Sequence, residues 1–289
     1  MTKHPEVKLV GFVTPLFAGT TSLSSFRYSS GSFAIVKKLK QRSRSAGNRF
    51  ICGPSETIRG EIVENVKPIS DHVPTHQRPL DGTSFGHYLA GLIDGDGHFS
   101  TQQQLEIAFH IADVPLAYYL KSRLGFGNVY NRKDALAVRF IISKRAGIEK
   151  VLLLINGKMR NKKRYDQVIN NVLAHKKYAY LLETLSFTQN VSRDLRNHWL
   201  AGFSDADANF QVVTVLPPGC RQIRLQFEVS QKTEYLLALI KGHLGGSIGH
   251  RMPDDTYYYG SSSFGSARNV INYFDHFHLL SSKHLNYLK

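Results

Sequence analysis

The sequence predicts an α+β protein made of two pseudo-symmetric αββαββα halves, joined through a pair of helices that carry the same short motif. Three observations predict it. Leu89-Ala90-Gly91-Leu92-Ile93-Asp94-Gly95-Asp96-Gly97 returns, 111 residues on, as Leu200-Ala201-Gly202-Phe203-Ser204-Asp205-Ala206-Asp207-Ala208. After each copy the apolar pattern changes from a helical to a strand period. Further on, Leu116 to Gly125 has a counterpart in Leu236 to Gly245, so the repeat covers whole halves rather than the motif alone.

Each motif reads as a short helix. Ser84 before the first copy, and Ser192 or Asp194 before the second, stand where an N-cap is wanted, and a Pro-free apolar run follows each. The acids then fall at the helix C-terminus, where the negative end of the dipole opposes a carboxylate by about 0.3–1 kcal/mol. A local rule broken twice at equivalent positions marks a functional site. Ala90-Gly91 and Ala201-Gly202 give away helix propensity, but such small residues let a second helix approach closely. Packing the two copies on each other would bring Asp96 and Asp207 together at one end of the pair. Two such carboxylates repel unless something positive sits between them, and a hard divalent cation with oxygen ligands is the ordinary solution.

Beyond Asp96, the alternation of Leu105, Ile107, Phe109 and Ile111 with Glu106, Ala108 and His110 predicts a half-buried strand. A helix over Val114 to Leu124, closed by Gly125, precedes a second strand from Leu136 to Ile142 with Arg139 on its polar side. Val151 to Ile155 makes a further buried helix, broken at Asn156-Gly157. In the second half, a strand from Phe210 to Leu216, a turn at Pro217-Pro218-Gly219 and the alternation of Ile223, Leu225, Phe227 and Val229 predict a hairpin. The helix at Leu236 to Leu244, the strand at Tyr257-Tyr258-Tyr259 and a helix from Ala267 to Phe277 then repeat the order of the first half.

The chain carries a formal charge of +15 and 42% hydrophobic residues. That composition supports a sizeable core and points to a polyanionic partner, nucleic acid before membrane. No run of about 18 apolar residues is present to span a bilayer. Cys52 and Cys220 are far apart and lack metal-ligand spacing, so neither a disulfide framework nor a zinc site is read from them. Residues 20–48 are rich in Ser, Lys and Arg and contain no acid. Such a stretch reads as poorly ordered. It fits a transit peptide and equally an extension of the reading frame ahead of the folded part. Pro68, Pro74 and Pro79 mark a linker. The division read from these shifts is 1–85 for the N-terminal extension and linker, 86–183 for the first half, 184–194 for the bridge and 195–289 for the second half.

An antiparallel sheet can bury one face under helices and leave the other for a ligand. Gln102, Gln104, Arg132, Lys133, Arg139, Arg221, Arg224, Gln226 and Arg251 lie on or near the predicted strands. Arg and Gln can read base edges, and Lys and Arg can neutralise phosphates, so that open face suits a long double-stranded DNA.

The paired motifs resemble those of the LAGLIDADG homing endonucleases in their single-chain, double-motif form, over residues from about 86 to 289. The resemblance implies that each half forms a saddle-like sheet over DNA and that the chain acts as a monomer with internal pseudo-two-fold symmetry. It implies that the final acid of each motif, Asp96 and Asp207, binds the catalytic metals, two or more Mg2+ ions. The backbone carbonyls of Gly95 and Ala206 are expected to assist, as are basic residues near the site, for which Lys163, with Lys162 competing for the same role, and Lys283 stand at suitable positions. The implied reaction is site-specific cleavage of both strands, leaving short 3′ overhangs, in the homing of an intron. Because some members act as maturases, assistance in splicing the host intron RNA is the alternative. The family's habit places the protein in the mitochondrion, with the plastid as the other choice. Ala208 stands where the first motif has Gly97. His98 has Asn209 in the equivalent place and is not read as a ligand.

Overall fold

Asp81 caps the first helix of the described residues. Its carboxylate accepts the backbone N–H of Ser84 at 2.7 Å and caps helix α1, Gly82–Asp96. Ser84, expected as the cap, is therefore the donor to a cap three residues earlier, where the acid also meets the positive end of the helix dipole. Strands β1 (Gly97–Phe99) and β2 (Leu105–His110), helix α2 (Val114–Leu124), strands β3 (Asn128–Asn131) and β4 (Ala137–Ile142) and helix α3 (Arg145–Ile155) follow. A computed structural model provides these coordinates and describes residues 76–132, 135–215, 222–261 and 263–288. The Ser-rich N-terminal stretch, Lys133, Arg221 and the turn at Pro217-Pro218-Gly219 lie outside the described residues.

Two further helices complete the first half: α4 (Lys162–Gln167), continuing through a wide π-turn at Val168–Leu173, and α5 (Ala179–Thr184). Residues 185–198 form neither helix nor strand. The second half then repeats the first with α6 (Trp199–Asp207), β5 (Ala208–Val215), β6 (Gln222–Gln231), α7 (Glu234–Leu244), β7 (Ser247–Arg251), β8 (Thr256–Ser261), α8 (Phe264–His276) and α9 (Lys283–Leu288). The sheets have matching antiparallel orders, β1-β2-β4-β3 and β5-β6-β8-β7.

The start of α6 differs from the expectation. Asn197, rather than Ser192 or Asp194, accepts the N–H of Trp199, at 2.9 Å. Ser192 and Asp194 are drawn away because their carbonyls accept the guanidinium of the buried Arg160, which keeps this stretch extended. Asp194 itself pairs with Arg196 at 3.0 Å.

Burial follows the predicted alternation except at two expected core positions, since Ile111 has left the strand for a 3-10 turn and Leu225 lies beyond the part of β6 that β8 pairs with, and both are exposed. Leu105, Ile107, Phe109, Val138, Phe140 and Ile142 face the core, while Ala108, His110 and Arg139 face outward. The same division holds in β6 for Phe227 and Val229 against Arg224. Gly125 ends α2 at φ 73°, a left-handed conformation that glycine adopts without penalty.

The two halves meet through α1 and α6. A methyl group built on Gly91 would lie 1.9 Å from the carbonyl oxygen of Trp199 and 2.8 Å from the nitrogen of Phe203. Built on Gly202, it would lie 2.0 Å from the carbonyl oxygen of Tyr88 and 2.9 Å from the nitrogen of Leu92. The helices thus touch backbone to backbone in a reciprocal arrangement, with Ala90 and Ala201 fully buried beside the contact.

Candidate active site

The backbone contact at the glycines brings the C-terminal ends of α1 and α6 side by side. A methyl on Gly95 would stand 2.4 Å from the Cβ of Ala206 and 2.9 Å from a carboxylate oxygen of Asp207. Asp96 ends α1 and Asp207 ends α6, so both carboxylates hang from adjacent helix ends at the junction of the sheets. Desolvation raises both, and Asp207 also feels the charge of Asp96, which helps push it up to about 6.

Two cations face the pair. Lys283, half-buried at the start of α9, donates to the carbonyls of Ala206 at 2.6 Å and Ser204 at 3.2 Å. Arg164 donates to the carbonyl of Gly95 at 2.9 Å. Both partly offset the rise in the two carboxylates, while burial holds the Lys283 ammonium below its ordinary value. The carbonyls expected to assist, at Gly95 and Ala206, are thus each held by a cation, with a second lone pair left over. Gln231 donates to Asp207 at 2.6 Å.

Lys163 does not take the position expected of it. Its backbone N–H is received by Asn161 at 3.1 Å as that of Lys283 is by Ser281 at 3.1 Å, so the two lysines are equivalent along the chain. The Lys163 side chain is exposed, and among the described residues it has no hydrogen bond or ion pair. The cation turned toward the carbonyl is its neighbour, since one residue of helix rotates a side chain by about 100°. No repeat-based alignment signals that shift.

Asp94 and Asp205 are buried and fasten the framework. Asp94 accepts from the backbone of Arg160 at 2.6 Å and from the indole of Trp199 at 2.8 Å. Asp205 accepts from the Tyr88 hydroxyl at 2.7 Å, from the backbone of Leu280 at 2.7 Å and from the Ser281 hydroxyl at 2.5 Å. Each motif's inner acid is therefore held by an aromatic donor from the opposite helix. Burial pushes Asp94 up to about 7 and raises Asp205 as well. The signal for these aromatics was present, because the repeat extends upstream as His87-Tyr88 and His198-Trp199.

On the open faces of the sheets, Arg132 is exposed, Arg139 pairs with Glu106 at 3.7 Å, and Arg224 is exposed on β6. Arg251 binds Glu228 at 2.6 Å and Ser230 at 3.1 Å and lies over the Tyr258 ring, while Gln226 donates to Glu228 at 2.9 Å. His98 is exposed on β1.

The donor set fits a hard divalent cation. Two carboxylates and two backbone carbonyls are all-oxygen ligands of the kind that Mg2+ and Ca2+ take, and the mutual repulsion that raises Asp207 is what a cation between the acids relieves.

The sequence profile of the LAGLIDADG endonucleases matches residues 89–170 and 200–289. An uncharacterized cox1 intron-2 37.2 kDa protein of Schizosaccharomyces pombe is 52% identical over 97% of this chain and 90% of its own length. The intron-encoded DNA endonuclease aI3 of Saccharomyces cerevisiae is 26% identical, covering 72% of this chain, which spans 63% of that relative. The RNA maturase bI4 of the same yeast is 30% identical over 53% of this chain, which spans 23% of it. Among solved structures, the LAGLIDADG meganuclease I-AabMI bound to uncleaved DNA superposes with a TM-score of 0.55 at 21% identity, over 70% of this chain and 87% of that one.

Proposed function

Because the chain belongs to the LAGLIDADG endonuclease family, we propose that it is a site-specific double-strand DNA endonuclease of intron homing, working in the mitochondrion on the joined exons of its host gene. The observation that carries this reading is the convergence of Asp96 and Asp207 at the junction of two open sheets. Two acids related by near two-fold symmetry suit the two strands of a duplex, which are related in the same way.

In this reading Asp96 and Asp207 hold divalent ions, Mg2+ in the cell, with Gly95 and Ala206 lending their carbonyls. When bound, such ions supply Lewis acidity at each scissile phosphate and charge stabilisation for the leaving 3′ oxygen. Arg164 and Lys283 fix the two carbonyls and add positive charge where the phosphates enter. Gln231 holds the orientation of Asp207. The sheets position the duplex, with Arg132, Lys133, Arg139, Arg221, Arg224, Gln226 and Arg251 as the DNA-facing set and Glu106 and Glu228 releasing their partners to it. Cuts offset between the two strands leave short 3′ overhangs.

The test is a supercoiled plasmid carrying an intronless cox1 exon junction, the gene named in the S. pombe relative. Mg2+ should give a linear product at one site, and EDTA should give none. Failure to bind or cut any intronless junction of the host genome would overturn the reading. The likeness to bI4 favours a second activity in splicing the host intron, which requires that purified protein bind the precursor RNA and speed its splicing.

A further inference from the structure

We infer that His76, His278 and His284 form a second metal site, one that takes a zinc-type divalent cation and is separate from the carboxylate pair. His76 lies in the extended segment leading into α1, His278 just beyond α8, and His284 in α9. One nitrogen from each ring lies within 4.8 Å of the others. The rings stack with centroids 4.4 to 5.8 Å apart and planes 16 to 25° from parallel. Two of the three, His278 and His284, are buried.

The hydrogen bonds set the tautomers. Nε2 of His76 is 2.7 Å from the carbonyl of Leu279, and Nε2 of His278 is 3.0 Å from the carbonyl of Asp275. A carbonyl only accepts, so both Nε2 atoms carry the hydrogen and both Nδ1 atoms carry a lone pair. A ring whose far N–H is fixed on a backbone carbonyl is the usual arrangement of a metal-ligating histidine. The third ring contributes the independent observation: Nδ1 of His284 is buried and has no hydrogen-bond partner among the described residues. Coordination gives that nitrogen a partner.

Zn–N bonds are about 2.0–2.1 Å, which puts tetrahedral ligand nitrogens about 3.4 Å apart. The three nitrogens, now within 4.8 Å of one another, must therefore close by about 1.4 Å at most, which takes small adjustments of all three rings. His278 exchanges its present bond from the Gln77 N–H, 3.0 Å long, for the ion. Water takes the fourth position on the side where His76 meets solvent. An all-imidazole set favours zinc, copper or nickel over Mg2+, so the two sites select different metals. The bound ion ties the segment entering α1 to α9, the helix that carries Lys283.

The test uses the full chain stripped of metal, with Mg2+ in excess so that the carboxylate pair is occupied. Zn2+ is titrated in competition with a chromogenic chelator, and melting is followed in parallel. The expected result is one equivalent of Zn2+ per chain and a raised melting temperature, both retained when Asp96→Asn and Asp207→Asn are combined. His76→Ala, an exposed position that folding tolerates, and His284→Gln should each weaken Zn2+ binding by about tenfold or more and remove the melting shift. No stoichiometric Zn2+ in the wild type, or the same affinity in both histidine variants, or loss of Zn2+ binding in the aspartate variant, would overturn the inference.

Discussion

The first half brings Arg164 to the carboxylate pair where the second brings Lys283, and has Phe109 at the strand position from which the second brings Gln231, although the helices beneath them are almost interchangeable. The register makes the second substitution plain. Gly97 pairs with Ile107 and Ala208 with Val229, so two residues further on Phe109 occupies the place of Gln231. Gly91 and Gly202, Asp94 and Asp205, and Tyr88 and Trp199 make reciprocal contacts across the interface. The difference separates two kinds of constraint. What joins the halves must obey their symmetry, because each contact uses both copies. What surrounds the acids need not, so Asp96 and Asp207 sit in unequal environments.

The largest effect should fall on the symmetric part. Gly91→Ala and Gly202→Ala each drive a methyl into a backbone carbonyl at about 2 Å. Neither backbone can give way without parting the helices, so each substitution should cost several kcal/mol or prevent folding. Gly82→Ala, with nothing within 4 Å of the added methyl, should change the melting temperature little. Urea unfolding of the three variants compares them, and a mild effect at only one of the interface glycines would break the symmetry.

Next come the two cations. Lys283 holds two carbonyls and lowers both acids more than Arg164 does. Lys283→Ala should slow single-turnover cleavage by about 100-fold and Arg164→Ala by about tenfold, with duplex affinity nearly kept. Equal losses would erase the asymmetry, and an equal loss in Lys163→Ala would reassign the first-half cation.

Much of this arrangement was legible in the sequence. The paired motif gave the helix junction and the acids at its end, and the period-2 pattern gave the strands, because both rest on which face of an element is buried. The caps were misplaced because several competent capping residues stand close together before each helix, Asp81 and Ser84 before the first and Ser192, Asp194 and Asn197 before the second, and before the second the tertiary pull of Arg160 on the 192 and 194 carbonyls holds the chain extended. Arg164 was missed for a rotational reason, one residue along a helix. Gln231 was missed because its partner in the repeat is an apolar Phe109, so no symmetry pointed to it.

The smallest effect concerns pH. Asp207 must be ionised to hold a cation and titrates near 6 without one. The Mg2+ concentration for half-maximal cleavage should therefore rise as pH falls through about 6, by about tenfold from pH 6 to pH 5. The Gln231 bond lowers the Asp207 value. Gln231→Ala should thus move the midpoint upward, and a downward shift would contradict the assignment.

In the proposed function Asp96 and Asp207 work together as one metal centre for two strands. Strand-resolved cleavage of an end-labelled target duplex by Asp96→Asn and Asp207→Asn, in Mg2+ and alongside a gel-shift measurement, tests it most directly. Both variants should bind the duplex with near wild-type affinity, and neither should yield a double-strand break. A double-strand break at the wild-type rate from either variant would contradict it.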